Sequence, residues 1–192
     1  MSLNKGRIIT FTGRGLDPIN PSPDDIDIKD IAHALSMICR FGGHSQKFYS
    51  VAEHCYFCSL MTEDLDLALI LLLHDASEAY IHDIITPLKP FISSYKEIEN
   101  NVMAAIFKKF ELKWPIDDET KKKIKRIDNI MLLTEFKSFM TEIPEDCEIA
   151  KYYSPLDIKL IGCDPVTAEK YFMDRFNKLM TYKKNKEIKN AI

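Results

Sequence analysis

Glycine and proline are sparse, six and nine of 192 residues, which excludes a collagen-like or low-complexity chain. Charge of one sign is missing too. Twenty-six Lys and Arg stand against 29 Asp and Glu, for a net charge of −3, so there is no global electrostatic case for a nucleic-acid polymer as partner. A polyanionic small substrate would need a local basic patch instead. The apolar run around Leu67 to Leu73 is too short to span a bilayer. The opening MSLNKGRIITFTGRG has neither a long apolar stretch nor a small-residue cleavage site. The expectation is a soluble, unprocessed, cytoplasmic protein with no membrane partner. Cys39, Cys55, Cys58, Cys147 and Cys163 are odd in number, which argues for reduced thiols rather than a disulfide framework. Cys55 and Cys58 form a CxxC, but a three-residue step puts both on one helix face, and no second CxxC completes a four-thiolate site. They read as packed thiols.

What is present is an ordinary globular share of apolar residues, 46%, enough for one domain with one core. The periodicity is helical nearly throughout, so the fold class is all-α with a short irregular or β N-terminal segment. RIITFT (7–12) reads as a short strand, and the turn-rich stretch after it as an irregular surface segment, making an N-terminal arm of about 1–26. Asp27 or Asp30 can cap a first helix, which should stop near Gly42 and Gly43. Ser50 and Glu53 fit a capping box. The next helix should open near Glu63 and Asp64 and run through LDLALILLLHDASEAY. Further helical segments follow, one capped by Asp117 or Asp118, and a last one begins near Pro165. The tail of about 183–192 should be frayed.

The chemistry is concentrated in His74 and Asp75, an imidazole and a carboxylate placed at the end of the run Leu69–Leu73. A buried helix can deliver both to one interior point. His54 and Asp128 extend the set to a mixed His/Asp site suited to one divalent cation. Asp128 lies at the edge of an apolar helical stripe, where a carboxylate needs a partner. Glu78 follows His74 by four residues, on the same helix face, and Asp83 comes shortly after. That acidic pair could orient a water and protonate a leaving group. Taken singly, each has a plainer explanation. His54 could be a satisfied core histidine, Glu78 a surface glutamate, and Asp128 a partner of Lys125 or Arg126.

Together these segments resemble the HD-domain metal-dependent phosphohydrolases. YSVAEHC is similar to that family's first-histidine motif, HDASEAYIHDIITPLK to its central motif, and KRIDN would hold its final aspartate. The likeness spans roughly residues 31 to 133 and is nearest the branch of 5′-deoxynucleotidases and phage dATP triphosphohydrolases. It implies an HD-domain helical bundle in a single domain, with metal ligands His54, His74, Asp75 and Asp128. The ion would be cobalt, manganese, zinc, iron, nickel or magnesium. It implies Glu78 as the residue that positions the attacking water and Asp83 as the acid. Arg40 would grip a phosphate bidentately, Phe41 would stack on sugar or base, and Lys89 would hold phosphate oxygens. His82 stands where the family commonly has glycine before Asp83. Phe41 stands where the deoxynucleotidases have tryptophan. The implied function is divalent-metal-dependent hydrolysis of a (deoxy)nucleotide, with metal-activated water attacking the α-phosphate of a dNMP or dNTP, and the entry segment leans toward dNTPs. The alternative is a non-catalytic, metal-containing nucleotide-sensing module. A homo-oligomer is implied by the resemblance alone.

Overall fold

The computed structural model describes residues 6–85 and 87–190. It is mainly α-helical with one small N-terminal sheet. In that sheet β1 (Ile8–Ile9) pairs antiparallel with β2 (Gly15–Leu16), so the strand read from RIITFT is only two residues long. The N-terminal arm is also less superficial than its turn-rich composition suggests, since Leu16 and Ile26 are fully buried. Those two side chains anchor it to the core.

Asp27 caps α1 (Ile28–Met37) by accepting the Lys29 N–H at 3.0 Å. The helix ends five residues short of Gly42. The chain turns extended instead, because a bridge forms between Cys39 and Ser50, with Val51 N–H donating to Ile38 O and Arg40 N–H to Tyr49 O. Backbone pairing across the fold outweighs local helix preference there. It leaves Arg40–Gly43 as a 3-10 turn. Both halves of the expected capping box start α2 (Val51–Leu60): Ser50 Oγ accepts Glu53 N–H, and Glu53 accepts Ser50 N–H. Asp64 caps α3 (Leu65–Leu73).

The predicted continuation of α3 through HDASEAY is interrupted. Residues 74–77 tighten into turns, with Ala76 N–H donating to Leu73 O and Glu78 N–H to Asp75 O. A single helical turn, α4 (Glu78–Ile81), follows. Such i-to-i+3 closure in place of α-helix is common where a helix end is shaped for function. Next come α5 (Tyr95–Lys109), α6 (Asp118–Phe139, capped by Asp117) and α7 (Pro165–Asn190). Helix α7 runs on past 183. It continues to Asn190, aided by ion pairs from Lys183 to Glu187 and from Lys186 to Asp66. Residues 1–5 and 191–192 of the expected arm and tail lie outside the described residues.

Helix α7 packs across α1, α2 and α3, and α2 lies between α3 and α6. Leu69, Leu71, Leu72 and Leu73 are at most 2% exposed. Each contributes on the order of 1.5–3 kcal/mol of burial, which fixes the C-terminal end of α3 against the core. A second apolar cluster, including Leu67, Leu71, Met131 and Phe139, joins α3 to α6. The two clusters hold His74, at the end of α3, and Asp128, midway along α6, at a set separation. Among the described residues no helix is long and apolar enough to cross a membrane.

Candidate metal centre and cavity

Three helices bring the four expected ligands to one point. His54 lies midway along α2, His74 caps the C-terminus of α3 with Asp75 next to it, and Asp128 lies on α6. His54 Nε2 is 3.2 Å from His74 Nε2, 3.6 Å from Asp75 Oδ2 and 3.5 Å from Asp128 Oδ1. His74 Nε2 is 3.3 Å from Asp75 Oδ2.

The tautomers follow from the other ring nitrogens. His74 Nδ1 is 2.7 Å from Leu71 O, a carbonyl that can only accept, so Nδ1 carries the proton. His54 Nδ1 is 2.6 Å from Glu135 Oε1. Burial pushes the Glu135 carboxyl up, but Arg40 and His54 outweigh it and hold it below the usual range. As a carboxylate it accepts, so His54 Nδ1 also carries its proton. Both rings thus turn Nε2 inward, 3.2 Å apart and flanked by two carboxylates; burial and Arg40 push the His54 imidazole down, but Cys58, Glu135 and Asp128 outweigh them and hold it well above its usual pKa. That arrangement repels itself unless a proton or a cation lies between. Donors about 2.0–2.1 Å from a tetrahedral ion stand roughly 3.4 Å from one another, so this donor set fits a first-row divalent metal.

Candidate metal-holding groups among the described residues also include thiols: His54, Cys58 and His74 in one, Cys55, His74 and Asp75 in another. Cys58 Sγ is 3.9 Å from His54 Nδ1 and 3.7 Å from Nε2. Being nearly equidistant, it lies over the ring face rather than at the lone-pair edge. Cys55 Sγ is 3.9 Å from His74 Nδ1, the nitrogen already bonded to Leu71. Burial pushes both thiols up, Cys55 well above its usual range. They wall the site as neutral packing groups.

Above the ligands opens a cavity of about 510 Å³ whose lining includes Arg40, Phe41, Asp75, Glu78, Asp83, Lys89 and Asp128. With His54 and His74 beneath, the nine residues singled out in the sequence meet at one place. Sequence reasoning missed Glu135. It is fully buried and takes both Arg40 and His54. Its signal was available: it follows Asp128 by seven residues, two helical turns along the same face of α6. Arg40 consequently differs from the expected free fork. Its Nε and Nη2 donate to Glu135 Oε2 at 3.1 and 3.0 Å, while Nη1 stands 3.9 Å from Asp75. Lys89 Nζ is 3.2 Å from Glu99 and 3.9 Å from Glu78.

Phe41 and His82 both have positive φ, 58° and 68°. At His82 ψ is 157°, a region populated almost only by glycine and held at a cost of roughly 1–3 kcal/mol. The Tyr95 hydroxyl, donating to His82 O at 3.1 Å, fixes that backbone. Histidine therefore adopts the glycine-type conformation rather than moving the loop, and its exposed side chain turns away from the core.

Glu78 is 5% exposed, and among the described residues its Oε2 has no hydrogen-bond partner. Burial, with Asp75 and Asp83 nearby, pushes its carboxyl well above the usual range, against a weaker pull from Lys89 and Arg40. A group raised in the folded state loses stability as pH climbs from its unfolded value through its folded one. Glu78→Gln should therefore match the wild type near pH 4 and be more stable at pH 8 when both are metal-free. Thermal unfolding in EDTA checks this, with about 1 kcal/mol appearing as ~2–4 °C at this chain length. Equal midpoints at pH 8 would remove the argument.

No family model matches the chain. The chain is 38% identical over 180 residues to Uncharacterized protein YfdR of Escherichia coli (strain K12), an alignment covering 92% of this chain and 97% of YfdR. The chain belongs to the YfdR family. It is also 37% identical over 133 residues to Uncharacterized protein RCAP_rcc00048 of Rhodobacter capsulatus, covering 62% of this chain and 66% of that protein. The YfdR alignment takes in 92% of this chain, so the likeness is not confined to one short motif.

Proposed function

We propose that the protein is an HD-type, divalent-metal-dependent phosphohydrolase that cleaves a nucleotide at its α-phosphate. The observation that carries this reading is the pair of facing imidazole Nε2 atoms, with two carboxylates, at the floor of a cavity whose lining includes cations and aromatic rings. His54, His74, Asp75 and Asp128 would hold one ion. When bound, that ion supplies Lewis-acid polarisation of a phosphoryl oxygen and lowers the pKa of a water.

The remaining work falls to the chain's own groups. Arg40, through its cavity-side Nη1, and Lys89 offset charge on the phosphoryl oxygens. Glu78, with a buried and unpartnered oxygen, orients water at the phosphorus. Asp83, half-buried in the cavity wall, would pass a proton to the departing oxygen. Phe41 offers a ring face to the sugar or base.

The test is release of orthophosphate and tripolyphosphate from a panel of dNMPs and dNTPs, with cobalt or manganese added and EDTA as control. Turnover that depends on metal is expected. Metal-loaded protein that binds nucleotides without releasing phosphate would instead support the sensing module, and protein that retains no metal would overturn the metal mechanism.

A further inference from the structure

Asp83 and Lys89 both reach the cavity from the segment between α4 and α5. That segment leaves α4 in a conformation it cannot hold by itself. His82, at φ 68° and ψ 157°, relaxes to negative φ unless its surroundings forbid it. Its own ring does not tie it to the core. The ring is exposed, and its Nδ1 lies 3.4 Å from Asp83 O, within the same segment.

The tie comes from the first residue of α5. Tyr95 is 7% exposed and is not among the residues that line the cavity. Its hydroxyl donates to His82 O at 3.1 Å, and its ring faces Lys89 Nζ, 5.4 Å from the ring centre. Glu99, one turn further along α5, takes the same Nζ at 3.2 Å. We propose that Tyr95 is a positioning residue for hydrolysis: its hydroxyl fixes the backbone that aims Asp83, and its ring holds Lys89 at the cavity edge. The proposal rests on the phosphohydrolase reading and adds to it a residue that touches neither metal ligands nor substrate.

The two contacts are chemically separable. Phenylalanine keeps the ring and loses the hydroxyl; leucine loses both. Asp83 follows His82 directly, so a change of backbone dihedral at His82 re-aims the Asp83 carboxyl. Glycine at position 82 would hold positive φ with little penalty, and Asp83 would then depend less on the Tyr95 hydroxyl. A contact that served packing alone would show no such dependence on the residue at 82.

The experiment measures kcat and KM on a panel of dNMPs and dNTPs with the manganese-loaded full chain, well below each variant's thermal midpoint. Tyr95→Phe should lower kcat about 5- to 150-fold, the range set by releasing a residue held in such a region. Its KM should stay within about twofold of wild type. With His82→Gly added, kcat should return to within about threefold of His82→Gly alone. Tyr95→Leu should in addition raise KM by about threefold or more. A second readout needs neither metal nor turnover: exchange of the His82 N–H, bonded to Glu78 O at 2.9 Å, should be at least about fivefold faster in Tyr95→Phe. Lys96→Gln, exposed in the same turn of α5, is the control that should match wild type throughout. Wild-type kcat and wild-type His82 exchange in Tyr95→Phe would overturn the proposal while leaving the phosphohydrolase reading intact. An equal loss of kcat with histidine and with glycine at 82 would do the same. A wild-type protein with no metal-dependent turnover of any nucleotide would bring down that reading, and the proposal with it.

Discussion

Asp75→Asn is expected to weaken divalent-metal binding by at least about 100-fold and to lower turnover by about 1,000-fold or more at fixed metal, with the fold retained. Asp75 Oδ2 is 3.3 Å from His74 Nε2 and 3.6 Å from His54 Nε2, so it is the carboxylate shared by both imidazoles. Asparagine keeps the shape but brings a neutral oxygen and an N–H₂ that repels a cation. The side chain is about a quarter exposed, at 24%, and lies in the turn after α3 rather than in the apolar core, so packing should survive. There is an acid-side signature too. Burial raises the Asp75 carboxyl, but His74, His54 and Arg40 outweigh it and hold it below the usual value. A depressed carboxylate stabilises the fold above its unfolded pKa, and that contribution is lost as pH falls through the folded one. Metal-free wild type should therefore lose stability on acidification more steeply than Asp75→Asn. Metal content after dialysis, phosphate release and thermal midpoints between pH 3 and pH 7 together decide the matter. Asp157→Asn, at an exposed site, is the control that should change none of them. Full activity in Asp75→Asn protein shown to hold no metal would sink the mechanism.

The four residues that meet at the candidate metal centre were legible because each carries a local cue: an apolar run ending in His74 and Asp75, a capping box four residues before His54, and an apolar stripe bordering Asp128. Helix starts were legible for the same reason, since caps are short-range chemistry. Asp27, Ser50, Asp64 and Asp117 all take the backbone N–H groups that their type favours. Helix ends were less so. Met37 is the last residue of α1 because Cys39 pairs with Ser50, and the end of α3 is shaped by the bond of His74 to Leu71 O. Both are tertiary or site constraints with no local residue to announce them. Burial of Leu16 and Ile26 in a turn-rich arm was hidden likewise, because apolar side chains separated by prolines show no period. Glu135 was overlooked for a different reason. A glutamate on an amphipathic helix is usually a solvated one, and only the positions of His54 and Arg40, 81 and 95 residues away in sequence, give it buried partners.

Glu135→Gln is the substitution that should separate positioning from ligation. The carboxylate offers two acceptors: Oε1 takes His54 Nδ1–H at 2.6 Å, and Oε2 takes Arg40 at 3.0 and 3.1 Å. Glutamine has one oxygen for these two donors, and its N–H₂ must face whichever remains. One buried donor is then orphaned, at about 1–3 kcal/mol, and a buried Arg40 left without its counter-charge raises that toward roughly 3–5 kcal/mol. The loss reaches the metal because His54 is aimed by this bond. With Nδ1–H unsatisfied, the competing tautomer, which protonates Nε2 and removes the lone pair from the site, becomes accessible. Metal affinity should fall about 10- to 100-fold, less than for Asp75→Asn, and saturating manganese should restore much of the activity, because all four ligands are still present. A purely structural role would give a different pattern, with a lowered thermal midpoint and unchanged metal affinity in the folded fraction. Glu135→Asp supplies the complementary case. It keeps the charge and both oxygens on a shorter stem, so it should recover stability ahead of metal affinity. Metal titration of the two variants, each at a temperature well below its midpoint, tells these outcomes apart.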